Sequence, residues 1–345
     1  MEAIELPKMS RRQENSHKGD YGKVLIIAGS ENMIGAPALA ALAALRTGSG
    51  LCRIATVKEA LPFVLGICPC ATGYPINPRD IKGLLEFAEQ HDAVAVGPGL
   101  GIGTTTKRIV LELLERHSGP LVFDADALNV LSTLEASEWP KRRDWGNVVL
   151  TPHMGEFMRL MAAVMKRGGT LGTAAAEALD PAKQEAATPA GPKSLVTEDD
   201  DAPSTADGVP LDLPEEESVQ TLVAAPQTAP VPEGPDRSAL AELLSRGTGC
   251  VVLLKGHNTI VADGTRIAVN QTGNPAMATG GSGDVLTGVI ASLLGQGFAT
   301  PQAALLGAHI HGRAGDLAAE AIGPAGLLAT DIIQMLPKAI ALQMH

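Results

Sequence analysis

The densest chemistry in the chain is the string Asn274-Pro-Ala-Met-Ala-Thr-Gly-Gly-Ser-Gly-Asp284, which runs directly into the apolar stretch VLTGVIASLLG. Glycines before a helix let the backbone aim its free N–H groups at one point, and the helix dipole adds positive potential there. Gly280, Gly281, Ser282 and Gly283 therefore form a predicted anion hole. A carboxylate just inside such a loop competes with the anion it would bind, so Asp284 is costly unless it is used. Its use would be to take a proton from a substrate hydroxyl while the backbone amides hold a migrating phosphoryl group. The plainer alternative is a glycine turn whose aspartate caps the helix.

Three other segments carry polar groups at places a ligand could reach. Gly97-Pro-Gly99-Leu-Gly101 follows AVAV and precedes a helix beginning near Thr104, and its spacing is not the six-residue GxGxxG of a dinucleotide fingerprint. A classical Rossmann dehydrogenase is therefore disfavoured. Thr151-Pro-His153-Met-Gly-Glu156 ends NVVL and opens a helix. His153 there can donate to a polar ligand and Glu156, one turn on, can help hold Mg²⁺ through water; equally, both can be helix-start residues. Lys255-Gly256-His257-Asn258-Thr259 follows CVVLL and offers a cation and polar groups to a nucleotide's phosphate or base. His309 and His311 fall in an Ala/Leu-rich helical stretch with no third ligand nearby, and are read as helix-packing histidines.

The elements that must position these groups follow from the hydrophobic pattern. Continuous Val/Ile-rich runs, KVLIIAG, CRIATV, AVAVG, PLVFDAD, NVVLTP and CVVLLKG, read as strands buried on both faces. Helical stretches such as Ala36 to Arg46 and Thr104 to Arg116 lie between them. The alternation predicts an α/β fold, a doubly wound, mostly parallel sheet with helices on both faces. In such a sheet ligands sit beyond the carboxyl ends of the strands, where all four segments fall.

Aromatics are only 3% of the chain and hydrophobic residues 45%, so Ala, Leu, Val and Ile must fill the core. The net charge of −11 is uneven: from Ala187 to Asp236 there are eleven acidic residues against Lys193 alone, leaving the rest of the chain near neutral. No basic stripe stands ready for phosphodiesters, so nucleic acid is not an expected partner. The same segment holds nine prolines and no Phe, Trp, Tyr, Ile or Met. Such a composition cannot offset about 1–2 kcal/mol of backbone entropy per ordered residue. Residues 167–236 are thus expected to be a disordered acidic insertion in a surface loop of one domain spanning 1–345. Cys52, Cys68, Cys70 and Cys250 show neither disulfide density nor metal spacing, the first residues are too polar for a signal peptide, and no apolar run reaches a membrane-spanning length. A reduced cytoplasm is the expected compartment, with no membrane association.

The ordered segments SHKGDYGKVLIIAGS, GAPALAALAALRTGSG, GPGLG, FDADALN, TPHMGEFMRL, LLKGHNTIV and NPAMATGGSGDVLTGVIASLL together resemble the NAD(P)H-hydrate dehydratases of the ribokinase-like superfamily. The resemblance spans nearly the whole chain outside the insertion, which is not part of the family pattern. It implies a lyase that uses ADP or ATP, with Mg²⁺, to repair the S epimer of hydrated NADH or NADPH. By motif position, Asp284 would be the catalytic base, Ala36, Gly99, His153 and Asp284 would contact the hydrate, and Lys255 to Thr259 with Gly283 would contact the nucleotide. Asp126 and Asn129 would be second contacts, and Asn274 opens the Asp284 string. The resemblance also implies homo-oligomerisation. With about 20 residues before the first strand, no epimerase domain is expected and a separate epimerase would supply the substrate. A kinase for a vitamin-precursor alcohol on the same fold is the alternative, although such kinases carry Asn at the His153 position. A nucleotide-binding regulatory protein is the other.

Overall fold

The computed structural model describes residues 2–139, 144–166 and 236–344. Among them ten strands form a single sheet: β1 (Glu2–Ala3), β2 (Lys23–Ile27), β3 (Leu51–Val57), β4 (Thr72–Ile76), β5 (Ala93–Val96), β6 (Leu121–Phe123), β7 (Val148–Leu150), β8 (Val251–Leu254), β9 (Thr259–Ala262) and β10 (Arg266–Asn270). Their spatial order is β1-β10-β9-β8-β7-β6-β5-β2-β3-β4. Every neighbouring pair from β8 to β4 is parallel, and only the two ladders of β9 are antiparallel. The chain leaves β2 toward β3 and β4 and then returns to β5 on the opposite side of β2. That reversal is the switch point at which doubly wound sheets open a crevice.

The central strands β5, β6, β7 and β8 are buried at every residue, which is why their sequences are unbroken apolar runs. Helices cover both faces. On one lie α1 (Gly35–Thr47), α2 (Leu61–Ile67), α8 (Ser282–Gly295), α9 (Thr300–Ile322) and α10 (Ala329–Ala341). On the other lie α3 (Ile81–Ala88), α4 (Thr104–Arg116), α5 (Asp126–Ser132), α6 (Met154–Lys166) and α7 (Arg237–Thr248). Small residues let the first layer close. A methyl group added at Gly288 of α8 would lie 2.0 Å from the Ala40 carbonyl oxygen of α1, so the two helices touch through backbone. Ala38, Ala40, Ala41, Ala43 and Ala44 of α1 are all buried.

The doubly wound expectation is met, and each expected strand forms within a few residues of its predicted bounds. The sequence pattern did not reveal β1, β4 and β10. Pro75 sits inside β4, which is tolerable because β4 is the sheet's edge and needs no second ladder. In β10 only Asn270 is buried, so no apolar run marks it.

Register sets the site. Ile27, Val96, Phe123 and Leu150 pair in one row across β2, β5, β6 and β7. The residues just past that row, Gly97, Asp124 and Thr151, therefore emerge side by side. The expected insertion at 167–236 lies outside the described residues apart from Asp236, which belongs to the fold: its carboxylate caps α7 by accepting from the N–H groups of Ser238 and Ala239 at 2.9 and 3.4 Å. Among the described residues no helix is long and apolar enough to cross a membrane.

Candidate active site

Asp284 stands in the first turn of α8, where the chain leaves the loop through Gly281. Gly281 has φ 88°, and a Cβ there would come within 2.5 Å of the Leu39 side chain, so both backbone and packing exclude a larger residue. The N–H groups of Gly283 and Asp284 lie in a helical first turn and have no intrahelical acceptor. Within the predicted anion hole the Ser282 N–H instead donates to the Thr279 carbonyl at 3.4 Å. Ser282 and Gly283 line the adjoining cavity, whereas Gly280 and Gly281 do not.

Around the α8 start, the ends of β6 and β8 and the first turn of α6 add one cation and two carboxylates to Asp284. Lys255, just past β8, places Nζ 2.6 Å from Asp124 Oδ1 and 3.8 Å from Glu156 Oε2. Asp124 is 2% exposed, and its other oxygen accepts from the Thr287 hydroxyl of α8 at 2.8 Å. A Cβ on Gly283 would lie 3.6 Å from Lys255 Nζ and 3.8 Å from Asp124 Oδ2, so this ion pair lies directly behind Gly283. Burial, with the neighbouring charge of Asp124 as the second cause, pushes the Asp284 carboxyl up to about 6, and Lys255 opposes the shift only in part. Burial pulls the Lys255 ammonium down, but Asp124 and Glu156 outweigh it, and the net direction is upward. Asp284 is thus a carboxyl poised near neutrality beside a fixed cation, the range a general base needs.

A cavity of about 410 Å³ opens beside Gly283. All five of Lys255, Gly256, His257, Asn258 and Thr259 line it, as does Asn274, with Met277, Leu286 and His311 among the other wall residues. The Lys255–Thr259 turn is held from outside by Arg237 of α7, whose guanidinium donates to the carbonyls of Leu254, Lys255 and His257. Asn258 takes φ 52°, a left-handed conformation asparagine tolerates. Asn274 is anchored rather than free: its amide donates to Asp316 Oδ1 at 3.0 Å and its oxygen accepts from Ala276 N–H at 3.0 Å.

Ala36, Gly99, His153 and Asp284 lie outside the lining of that cavity. Ala36 and Gly99 meet: a Cβ on Gly99 would come within 3.3 Å of the Ala36 methyl and 2.8 Å of Met33 Cβ. His153 is more than half exposed, and its ring Nδ1 accepts from the Gly155 N–H at 3.0 Å while Glu156 Oε2 accepts from the His153 N–H at 2.9 Å. The two side chains therefore form a reciprocal cap on α6, which leaves the His153 Nε2 edge 3.5 Å from Glu156 Oε1. Asp126 and Asn129 support the Gly97–Gly101 loop: the Gly101 N–H donates to Asp126 Oδ2 at 2.7 Å, and Asn129 donates to Asp126 Oδ1 at 3.3 Å. Among the described residues no group of three or more His, Cys, Asp and Glu side chains forms a metal cage.

Sequence reasoning passed over three residues that the structure brings to the site. Asp124 sits inside the recognised FDADALN segment, and its signal was its place immediately after a buried strand. Arg237 opens a helix distant in sequence from the turn it clamps, and no local pattern marks it. His311, read as a packing histidine, is indeed buried, yet it also lines the cavity with Nε2 3.3 Å from the Ser282 hydroxyl. Burial pulls its pKa down to about 4, so it is a neutral wall residue at pH 7. His309 packs differently, with its Nε2 2.6 Å from the Gln343 side-chain amide nitrogen.

A doubly wound sheet whose strand ends face a glycine-led helix bearing a carboxylate belongs to the ribokinase-like class. A ribokinase-like protein from Enterococcus faecalis superposes with a TM-score of 0.70 at 22% identity, covering 98% of this chain and 93% of its own. The sequence model of the NAD(P)H-hydrate dehydratases matches residues 24–189 and 214–338, and the chain belongs to that family. The match passes over 190–213, the centre of the acidic stretch. The chain is 34% identical to the ADP-dependent (S)-NAD(P)H-hydrate dehydratase of Neisseria meningitidis, covering 96% of this chain and 89% of the relative. It is 36% identical to the bifunctional NAD(P)H-hydrate repair enzyme of Moorella thermoacetica, covering 96% of this chain and 51% of that protein, so it spans about half the length of several curated relatives. The ADP/ATP-dependent NAD(P)H-hydrate dehydratase of Bacillus subtilis, co-crystallised with ATP/Mg²⁺, superposes with a TM-score of 0.67 at 25% identity over 97% of this chain and 95% of its own.

Proposed function

We propose that this chain dehydrates the S epimer of hydrated NADH or NADPH at the expense of ADP or ATP, restoring NAD(P)H and releasing phosphate with AMP or ADP. The observation that carries the reading is Asp284 itself, a buried carboxyl beside Lys255 and Asp124 and next in the chain to Gly283, which lines the nucleotide-sized cavity. The names of the Neisseria and Bacillus relatives support the same chemistry. In this reading Asp284 accepts the proton of the hydroxyl at nicotinamide C6 as that oxygen attacks the terminal phosphorus, and the bond to the bridging oxygen of the nucleotide breaks. The ring nitrogen then expels the new phosphate ester as phosphate, and loss of a proton from the adjacent carbon restores the double bond. Lys255 and the Gly283 amide offset the charge gathering on the phosphoryl group. His153, its own ring oriented by the α6 cap, positions the hydrate.

The donor set fits Mg²⁺ only as an ion carried in by the nucleotide's phosphates, with Glu156 reached through water, because the Glu156 carboxylate already accepts from His153 N–H and faces Lys255. When bound it would neutralise phosphate charge. The R epimer would require an epimerase before entering this reaction; the names of the bifunctional relatives fit such a pairing.

Asp284→Asn tests the reading. Asn keeps the size and can sit in the same helix turn, yet it cannot take the proton, so single-turnover repair at saturating ADP should fall by about 10²–10⁴-fold with ADP affinity within about threefold. Near-normal repair by the variant would remove Asp284 from the chemistry. A stable phosphate ester accumulating in the wild type in place of NADH would indicate a kinase.

A further inference from the structure

Asp284, Asp124 and Glu156 give the strand-end cluster three carboxylates against Lys255, whose ammonium is already engaged by Asp124. A substrate that carries a pyrophosphate therefore needs another cation on the hydrate side. Among the described residues Arg159 meets that need. It lies on α6 about two turns from His153, and a Cβ on Gly155 would be 3.0 Å from the His153 ring and 3.7 Å from Arg159 Nη1, which makes the two exposed side chains neighbours. Its guanidinium is aimed by a single hydrogen bond, Nη2 to Asn129 Oδ1 at 2.8 Å, and Asn129 is tied through Asp126 to the Gly101 N–H of the loop that carries Gly99. No ion pair to a carboxylate occupies it among the described residues, in contrast to Lys255, Arg246 and Arg266. The nucleotide cavity is walled by segments from 255–286 and 308–312, and α6 contributes nothing to it.

We propose that Arg159, oriented by Asn129, is a phosphate-binding residue for the hydrated dinucleotide, distinct from the ADP site. A planar guanidinium can grip two phosphate oxygens at once, which a lysine cannot match. The assignment rests on the dehydratase reading for its ligand, and it supplies the anchor that keeps the nicotinamide end over Asp284.

The test uses Arg159→Met, which keeps the aliphatic stem, and Arg159→Lys, which keeps the charge without the fork. NADPH and NADH serve as calorimetric probes, and their hydrates as substrates. Arg159→Met should weaken dinucleotide binding and raise the hydrate KM by about 10-fold or more, with kcat and the ADP KM within about twofold, and Arg159→Lys should fall between it and wild type. A loss shared by NADH and NADPH assigns the pyrophosphate; a loss confined to NADPH assigns the 2′-phosphate. Unchanged dinucleotide affinity, or an equal loss for ADP, overturns the proposal. If wild type binds NADPH in an Arg159-dependent way yet repairs neither hydrate, the phosphate site stands and the dehydratase reading fails.

Discussion

Asp124 ties the electrostatics of the site together, since it fixes Lys255 and raises the Asp284 carboxyl through space. Asp124→Asn should therefore lower the Asp284 pKa and move the acid limb of the rate–pH profile, expected near pH 6 in the wild type if Asp284 is the base, toward lower pH. Because it also strands part of a buried ion pair, it should cost about 3 kcal/mol in urea unfolding at neutral pH. An unmoved acid limb in a folded variant would show that Asp124 does not act on Asp284. The sign for Asp284 itself runs the other way from a salt-bridged carboxylate. Its folded pKa lies above the ordinary 3.8, so its contribution to stability is fully present only below that value and is lost as pH rises through about 6. Asp284→Asn should accordingly melt higher than wild type at pH 7.5 and show no such gain near pH 4. Equal gains at both pH values would argue against a raised carboxyl.

Helix α8 carries Asp284, Gly283 and Thr287 on one rigid rod, and its depth in the fold is set by contact with α1 at Gly288. Gly288→Ala would force the Ala40 carbonyl aside, because the added methyl would start 2.0 Å from that oxygen. Overpacking of this kind costs about 1–3 kcal/mol. The variant should lower Tm and also reduce repair, since shifting α8 moves Asp284 relative to Lys255. Wild-type stability would mean that α1 yields without cost. On the other face α6 is started by His153 and Glu156 capping each other, so the residues read from sequence as either ligand contacts or helix starters are, geometrically, helix starters whose exposed ring edge remains available.

At the scale of the whole molecule, the described part of α6 runs to Lys166, α7 is capped by Asp236, and the site residues named above all lie outside 167–235. Joining Lys166 to Asp236 with a Gly/Ser linker should preserve Tm and repair within about twofold, as measured by melting and by recovery of dihydronicotinamide absorbance. Loss of activity in a folded variant would assign the acidic stretch a part in catalysis.

Much of this was legible in the chain. Buried parallel strands must be unbroken apolar runs, and a glycine-led helix start must be written GGSGD or something close to it, so the sheet and the place of Asp284 in the first turn of a helix could be read from local pattern. The edge strand β4 and the half-exposed β10 could not, because neither is required to bury a continuous apolar face. Nor could the partners of Lys255. Its ion pair with Asp124 joins residues 131 apart in the chain, and the Asp124–Thr287 bond joins residues 163 apart. Such pairings are decided by strand order and register, which bring Gly97, Asp124 and Thr151 into one row. Charges act through distance in space, and only the folded sheet sets that distance.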